Sequence, residues 1–403
     1  MTMELRPILS ALLRNRAGAI LVAIQIAITL AIVVNAVYVT QQRVEKIGRP
    51  TGLDDQNIFS FSAEGFEKGF DFPAMVRADL DLMRSMPGVI DAAPMSHIPL
   101  SGSGSSSGYF TEPGEKGEES PANIYWSDEH VINALGAKLS AGNTFDASAV
   151  KYLEQYPQFL EPTAIVSQGF ASALFPKQNA LGKTFYDNHG TPIKIVGVIE
   201  HMHGAWLGWD KVDRVVFSPM IGPTPRTRYI VRTQPGELDR VMAETEAALR
   251  QRDPNRVIGK LRKMSDHKKS SYAGDSLMAV TLTVVTGLVL IFSALGIFGL
   301  ATFNVNTRTK QIGTRRAIGA RKRDIVRYFM TENWVITSLG VLVGCCLALA
   351  AGYWLSTEYE MPRLDLYYLV GGVLGLWIVG QLAAWQPSWK AAKVSPAMAT
   401  RTV

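Results

Sequence analysis

The segment of this chain that comes nearest to a catalytic motif is Leu181-Gly182-Lys183-Thr184, which has the ending of a phosphate-cradling Walker A loop. Such a loop needs a glycine five residues before Gly182 so that backbone N–H groups can close on the phosphates, and Lys177 stands there. Gly102 and Gly104 lie in a Ser/Gly-rich run, SGSGSSSG (101–108), with no helix and acidic ribose partner behind it, so that run reads as a mobile loop. His201, His203 and His189 are metal-ligand types, but neither an HExxH pattern nor a cysteine pair accompanies them. No serine sits in G-x-S-x-G, and the carboxylates show no spacing that marks an acid/base pair. The expectation is a non-catalytic chain that binds no cofactor or metal of its own.

The most organised polar segment is RTKQIGTRRAIGARKRDIVR (308–327). Ile312, Ala317 and Ile318 suggest a small apolar face on a short helix, Gly319 suits a left-handed stop, and Asp324 suits the start of a following helix. Eight bases around a helix-and-stop pattern read as a docking element for a protein partner.

This segment is placed by its surroundings. Four stretches, 17–39, 276–307, 333–357 and 366–389, carry no Asp, Glu, Lys or Arg. Each has the roughly 20 residues needed to cross a hydrocarbon core, and the last is taken as a span over 366–386. The first is expected to be an uncleaved anchor rather than a signal peptide, because its apolar core is long and no small-residue cleavage site follows. The second, at about 1.5 Å per residue, is long enough to project beyond the bilayer, and with 266–275 before it a continuous stalk is expected. Gly287, Gly296 and Gly299 would allow close helix packing there. Cys345 and Cys346 are adjacent within the third span, where they act as small apolar residues rather than as a disulfide.

Lys and Arg fix the orientation. Arg6, Arg14 and Arg16 precede the first span, the 308–327 bases lie between the second and third, and Lys390, Lys393 and Arg401 follow the fourth. The acids in these segments are Glu4, Asp324 and Glu332, so both termini and the basic loop are expected on the cytoplasmic side of a bacterial inner membrane, with the large 40–275 segment in the periplasm. Residues 1–16 pattern as an amphipathic helix on the membrane surface. The formal net charge of +6 is then topological and gives no reason to invoke nucleic acid. With no ionisable residue inside any span, an ion-driven carrier is a poor reading, and energy must enter from a partner.

The 40–275 segment reads as mixed α and β. Strand, helix, strand is expected over 57–62, 73–86 and 89–97, and again over 229–232, 236–252 and 256–264; the two units could close into one ferredoxin-like layer. Between them, roughly 145–225, lies a β-rich insertion with strand candidates 163–167, 193–200 and 214–219.

The loop resembles the coupling segment of the MacB/FtsX-type mechanotransmission (type VII) ABC permeases, R-T-x-E-I-G-x-R-R/K-A-L/I-G-A. It matches at Arg308, Ile312, Gly313, Arg315, Arg316, Ala317, Ile318, Gly319 and Ala320, with Gln311 in place of the usual Glu. EHVINALGAKLSAGNTF (129–145) is similar to a second family segment, with Asn143 replacing Arg, and pieces of 162–198 are similar to the family's outer-domain core. PSWKAAKVSP (387–396) is similar to the family's P-A-x-x-A-A-R/K-x-x-P tail, with Trp389 unusual there.

The resemblance implies four transmembrane helices with an α+β extracytoplasmic domain. That domain would have a porter-like part (55–145 and 226–265), a sabre-like β-rich part (146–225) and a stalk (266–275). It also implies a 308–332 coupling segment and a 387–403 cytoplasmic tail. Coupling to the ATPase would fall to Arg308, Gln311, Ile312, Gly313, Arg315, Arg316, Ala317, Gly319, Ala320 and Asp324, with Arg6, Arg14 and Arg16 in the surface helix. ATP and Mg would be bound by a separate cytoplasmic ABC ATPase, and a second permease chain, identical or paralogous, would complete the unit. The first expectation for function is efflux of a small molecule or peptide from the periplasm with a periplasmic adaptor and an outer-membrane channel. Lipoprotein release or control of a cell-wall hydrolase by the same machinery is the alternative, and a ligand-sensing membrane protein is the alternative from another class.

Overall fold

The computed structural model describes residues 16–65, 71–155, 160–224, 226–358 and 362–395, with side chains from Ala17 onward. The surface helix expected over 1–16, with Arg6, Arg14 and the side chain of Arg16, lies outside the described residues, as does 396–403. The chain divides into two compact units, one formed by residues up to 48 together with 275 onward, the other by 49–274.

The first unit holds four helices long and apolar enough to cross a membrane: Ala17–Gly48, Ala273–Thr307, Lys322–Glu358 and Leu366–Ala392. Each runs past its uncharged core. The third begins at Lys322 rather than at 333 and so carries Glu332 inside a helix, and the fourth continues through Pro387 to Ala392, so the start of the expected tail is helical. The 266–275 stalk is not one continuous helix, because Met264–Ser271 is capped at Tyr272 before the second membrane helix begins at Ala273.

Without a hydrophobic drive between helices in lipid, packing relies on close backbone approach and interhelical hydrogen bonds. The close approach is made by Gly340 and Gly344. A Cβ added at Gly340 would lie 2.7 Å from the Ala23 carbonyl oxygen, and one at Gly344 3.0 Å from Ala27 Cα. The expected glycines do less: Gly287 and Gly299 face open space and Gly296 meets only the Gln25 side chain. Gln25 Nε2 donates to the Phe292 carbonyl at 3.0 Å, Asn35 Nδ2 to Ala348 at 3.1 Å and Asn333 Nδ2 to Gly380 at 3.0 Å. Val22, Ile26, Leu30 and Val34 of the first helix pack with Ile297, Ile336 and Leu376 from the other three. Arg43 and Lys46 of the first helix pair with Asp275 of the second at 2.8 and 3.1 Å.

The second unit has two principal sheets. One is antiparallel, in the order Val257–Ile258, Ile58–Glu64, Arg226–Thr233, Val89–Met95, with Arg262–Lys263 also pairing on Ile58–Glu64. The helices Phe72–Ser85 and Leu238–Arg252 complete two β-α-β units, the ferredoxin-like layer the pattern predicts. Asp71 caps the first helix by accepting from the Ala74 N–H at 3.0 Å, and Pro73 sits within its first turn, where no N–H is missed. Val76, Leu80 and Met83 of that helix and Val241 and Leu249 of the other cover Phe59, Phe61, Tyr229 and Val231 on one face of the sheet. Inside this core Arg256 grips Asp79 bidentately at 2.7 and 3.0 Å, and the Tyr229 hydroxyl donates to the same carboxylate at 2.9 Å.

The other sheet has nine strands, and its membership differs from the expected insertion. Thr163–Ser167, Pro192–Ile199, Val215–Ser218 and Thr184–Asp187 are joined by Ser106–Ser107, Tyr109–Glu112, Lys116–Glu119, Ala122–Trp126 and Leu139–Gly142, all assigned to the porter-like part from sequence. The boundary at 145/146 therefore does not divide the two sheets. These added strands are short, and Lys116–Glu119 is fully exposed, so no alternation announced them. Nor is 101–108 a free loop. Gly102 N–H donates to Ala205 O, and a Cβ at Gly104 would lie 2.5 Å from Ala205 Cβ.

Candidate coupling site

The basic segment folds into a helix-hairpin-helix corner. Thr309–Ala317 is a separate helix following the second membrane helix, from which it is parted at Arg308 (φ −105°, ψ 16°). Thr307 and Thr309 hydroxyls donate back to the Phe303 and Val305 carbonyls at 2.9 and 3.1 Å, bonding that competes with straight helix at this joint. The short helix ends as its glycine predicts: Gly319 has φ +103°, and the N–H groups of Gly319 and Ala320 return to Arg316 O and Arg315 O. The next helix starts with Asp324 accepting from the Arg321 N–H at 2.9 Å, the reaching-back half of a capping box.

The expected site residues divide into two groups. Ile312 (3% exposed) and Gly313 are buried, and Ile312 packs with Val305, Ile325, Phe329, Ala391 and Ala392. Three arginines brace this interior. Arg308 Nη1 pairs with Glu332 Oε2 at 2.9 Å, and the Arg315 guanidinium lies 4.8 Å above the Tyr328 ring. Arg316 Nη1 donates to Ala392 O at 2.6 Å, where a cation also meets the negative end of the fourth helix. Glu332 is 3% exposed, and its Oε1 has no hydrogen-bond partner among the described residues.

Gln311, Ala317, Gly319 and Asp324 are exposed, and Ala320 is half-buried. Ile318 does not join Ile312. It is 82% exposed at the tip of the hairpin, because the helix ends at Ala317 and six residues turn it away from the buried stripe. Around it Arg321, Lys322 and Arg323 are exposed, and no ion pair engages them among the described residues. The arrangement is an apolar knob inside a cationic rim, on a base held by burial and ion pairing. Sequence reasoning missed the base: Ile325, Phe329 and Glu332 recur at helical spacing, a signal that becomes visible once the helix is started at Lys322.

The His201 and His203 rings lie 4.8 Å apart, but no group of three or more His, Cys, Asp or Glu able to hold a metal occurs among the described residues. His203 is buried, and that burial, with the adjacent His201, pushes its pKa down to about 4. His267, buried with Nε2 2.9 Å from Ser60 Oγ, is likewise pushed down to about 4 by burial.

Residues 283–396 match the family described as FtsX-like permease C-terminal. YknZ of Bacillus subtilis (strain 168), named an uncharacterized ABC transporter permease, is 27% identical over 293 residues, 70% of this chain and 71% of that one. MacB of Neisseria gonorrhoeae, named a macrolide export ATP-binding/permease protein, is 23% identical over 398 residues, 96% of this chain and 58% of that one. The chain thus spans little more than half the length of that relative. The crystal structure of the periplasmic region of MacB from Actinobacillus actinomycetemcomitans aligns with a TM-score of 0.35 at 15% identity, over 56% of this chain and 97% of that one. The matched residues 283–396 take in the Thr309–Ala317 helix, its hairpin and the two helices that brace it; over that stretch the chain carries an FtsX-like permease domain, and it is similar to MacB and YknZ.

Proposed function

We propose that this chain is the permease subunit of an ATP-driven mechanotransmission complex, and that the 308–324 corner is where a separate cytoplasmic ABC ATPase docks. The observation that carries this reading is the exposed Ile318 within the rim of Arg321, Lys322 and Arg323, set on a base buried through Ile312. A single large apolar side chain in a charged rim has the composition of a small docking hot spot. The MacB relative is named an ATP-binding/permease protein, which supports an ATPase as the occupant.

In this reading the basic corner and both termini face the cytoplasm, the α+β domain is periplasmic, and a second permease chain completes the unit. ATP and Mg reside on the ATPase. The work done is extrusion of a small molecule or peptide from the periplasm through an adaptor and an outer-membrane channel, the reading favoured by the macrolide export named for the MacB relatives.

The test is affinity purification from the native membrane in mild detergent, comparing the unmodified chain with Ile318→Asp and with Arg321, Lys322 and Arg323 together changed to Glu. Arg316 is a poor choice for this purpose because it also holds the end of the fourth helix. The expected result is an ATPase that co-purifies with the unmodified chain and is lost from both variants, while membrane insertion is unchanged. An ATPase retained by both variants removes the docking assignment. A lipoprotein carrier or a cell-wall hydrolase in place of an adaptor redirects the function away from efflux.

A further inference from the structure

Within the α+β domain a cleft of about 370 Å3 opens between the ferredoxin-like layer and the nine-stranded sheet. Its size falls in the range of small-molecule sites, roughly 300–1,000 Å3. One wall is the end of the edge strand, Pro94 to His97; the facing wall is Ile124 and Trp126, and Ile221, Gly222 and Arg226 to Arg228 form the floor. The walls are fixed to each other. Ser96 N–H donates to Trp126 O at 3.0 Å, Trp126 N–H to Ser96 Oγ at 3.0 Å, and Ser127 Oγ to Pro94 O at 2.5 Å.

The lining joins an apolar surface to unbalanced positive charge. Phe72, Met95, Ile124, Trp126 and Ile221 supply the first. Arg226, Arg228 and His97 are the ionisable groups of the lining, and no carboxylate is among them. Arg226 is countered by Glu64 at 2.6 Å, whereas Arg228 has no ion pair among the described residues. Arg228 is held in place by one bond, Nη1 to the Ser96 carbonyl at 2.7 Å, which leaves the rest of its planar fork of donors for a ligand. His97 beside it is pushed below the ordinary histidine range by burial and then by the Arg228 charge, so the imidazole adds a neutral donor or acceptor rather than a second cation.

We propose that this cleft binds a small amphipathic acid, with its single anionic group on Arg228 and its apolar or aromatic body against Trp126, Met95 and Ile124. Arginine suits the task because its fork meets a carboxylate, sulfonate or phosphate bidentately, and an aromatic wall suits a flat apolar body. Binding here requires no ATPase, so its failure and the failure of the coupling assignment are separate results.

The test uses the full chain in nanodiscs of zwitterionic lipid, with empty discs as the reference. Three probes with one naphthylmethyl body are titrated by calorimetry: 1-naphthaleneacetate, its neutral isostere 1-naphthaleneacetamide and the shorter, cationic 1-naphthylmethylamine. The acid is expected to bind about tenfold or more tightly than the amide, as one charge-assisted bidentate contact supplies, with the amine weakest. Arg228→Gln should remove the preference for the acid, and Arg228→Lys should keep part of it. Gly222→Leu should abolish binding of every probe with all charges retained, since a Cβ at Gly222 already lies 3.4 Å from the Trp126 ring. Should Arg228→Gln fail to fold, Gly222→Leu carries the test by itself. Acid binding no greater than in empty discs, an equal response to all three probes, or affinity unchanged in Gly222→Leu overturns the proposal.

Discussion

Two buried arginine-carboxylate pairs, one in each unit, are built to opposite specifications. In the α+β domain Arg256 and Asp79 are 2% and 1% exposed, share two hydrogen bonds and are closed by the Tyr229 hydroxyl. At the 308–332 corner Arg308 and Glu332 share one bond at 2.9 Å, Arg308 is 15% exposed, and one carboxylate oxygen of Glu332 has no partner among the described residues. A buried ion pair is firmly held only where the geometry is bidentate and the remaining lone pairs are satisfied. The first pair has the bidentate geometry and a carboxylate with both oxygens engaged, although Arg256 Nε finds only Asp253 at 3.6 Å; the second pair has neither. The domain core is locked, whereas the corner is held by a contact that small displacements can break.

The largest effect that would break this contrast is expected at the locked pair. Arg256→Leu leaves a buried carboxylate without its cation and should cost about 3–5 kcal/mol, read as a fall in the denaturant midpoint of the α+β domain. Adding Asp79→Leu should recover much of that loss, because the uncompensated charge is gone. If Arg256→Leu proves as mild as a surface change, the lock does not exist.

Next in size is the pH dependence of the same domain. His203 and His267 have folded pKa values of about 4 against an ordinary 6.5, so between those limits the unfolded chain binds more protons. Stability is therefore full above about pH 6.5 and is lost as pH falls toward 4, by on the order of 3 kcal/mol for each histidine. Replacing either by Gln should flatten the pH profile of the melting temperature over that window. A profile unaltered by both replacements would place the histidines in ordinary solvated surroundings.

A smaller effect is expected at the corner. Glu332→Gln keeps the shape and one acceptor, so it should cost about 1–3 kcal/mol of local stability. The discriminating readout is hydrogen exchange, which should accelerate over 308–332 and leave 58–95 unchanged; protection lost equally in both regions would erase the distinction between them. Ile318→Asp should change the melting temperature least of all, with less than about 0.5 kcal/mol for an exposed site. Its effect should appear in ATPase co-purification instead.

How far the sequence could be read follows the same physics. The four apolar helices are legible because burial in lipid demands long uncharged runs, and the ferredoxin-like layer because Val76, Leu80 and Met83 keep a helical period beside alternating strands. The hairpin at Gly319 and the lead of Asp324 are legible because both depend on neighbours in the chain. The nine-stranded sheet is not. Lys116–Glu119 is exposed throughout and Ser106–Ser107 is two residues long, so their membership is decided by distant partners. Asp79 and Arg256 lie 177 positions apart, and no local pattern joins them. The Gly340 and Gly344 pair has the four-residue spacing of a close-packing motif, yet small residues are so common in such helices that spacing alone does not single it out.

The bond from Arg316 to the end of the fourth helix closes a mechanical linkage. Thr309–Ala317 is attached by chain to the second membrane helix, by side-chain packing at Ile325 and Phe329 to the third, and by Arg316 to the fourth. A plate pinned at three corners cannot yield by bending one rod. A torque applied at Ile318 must turn all three helix ends or break a pin, and the Arg316–Ala392 bond is the pin that rests on a single side chain.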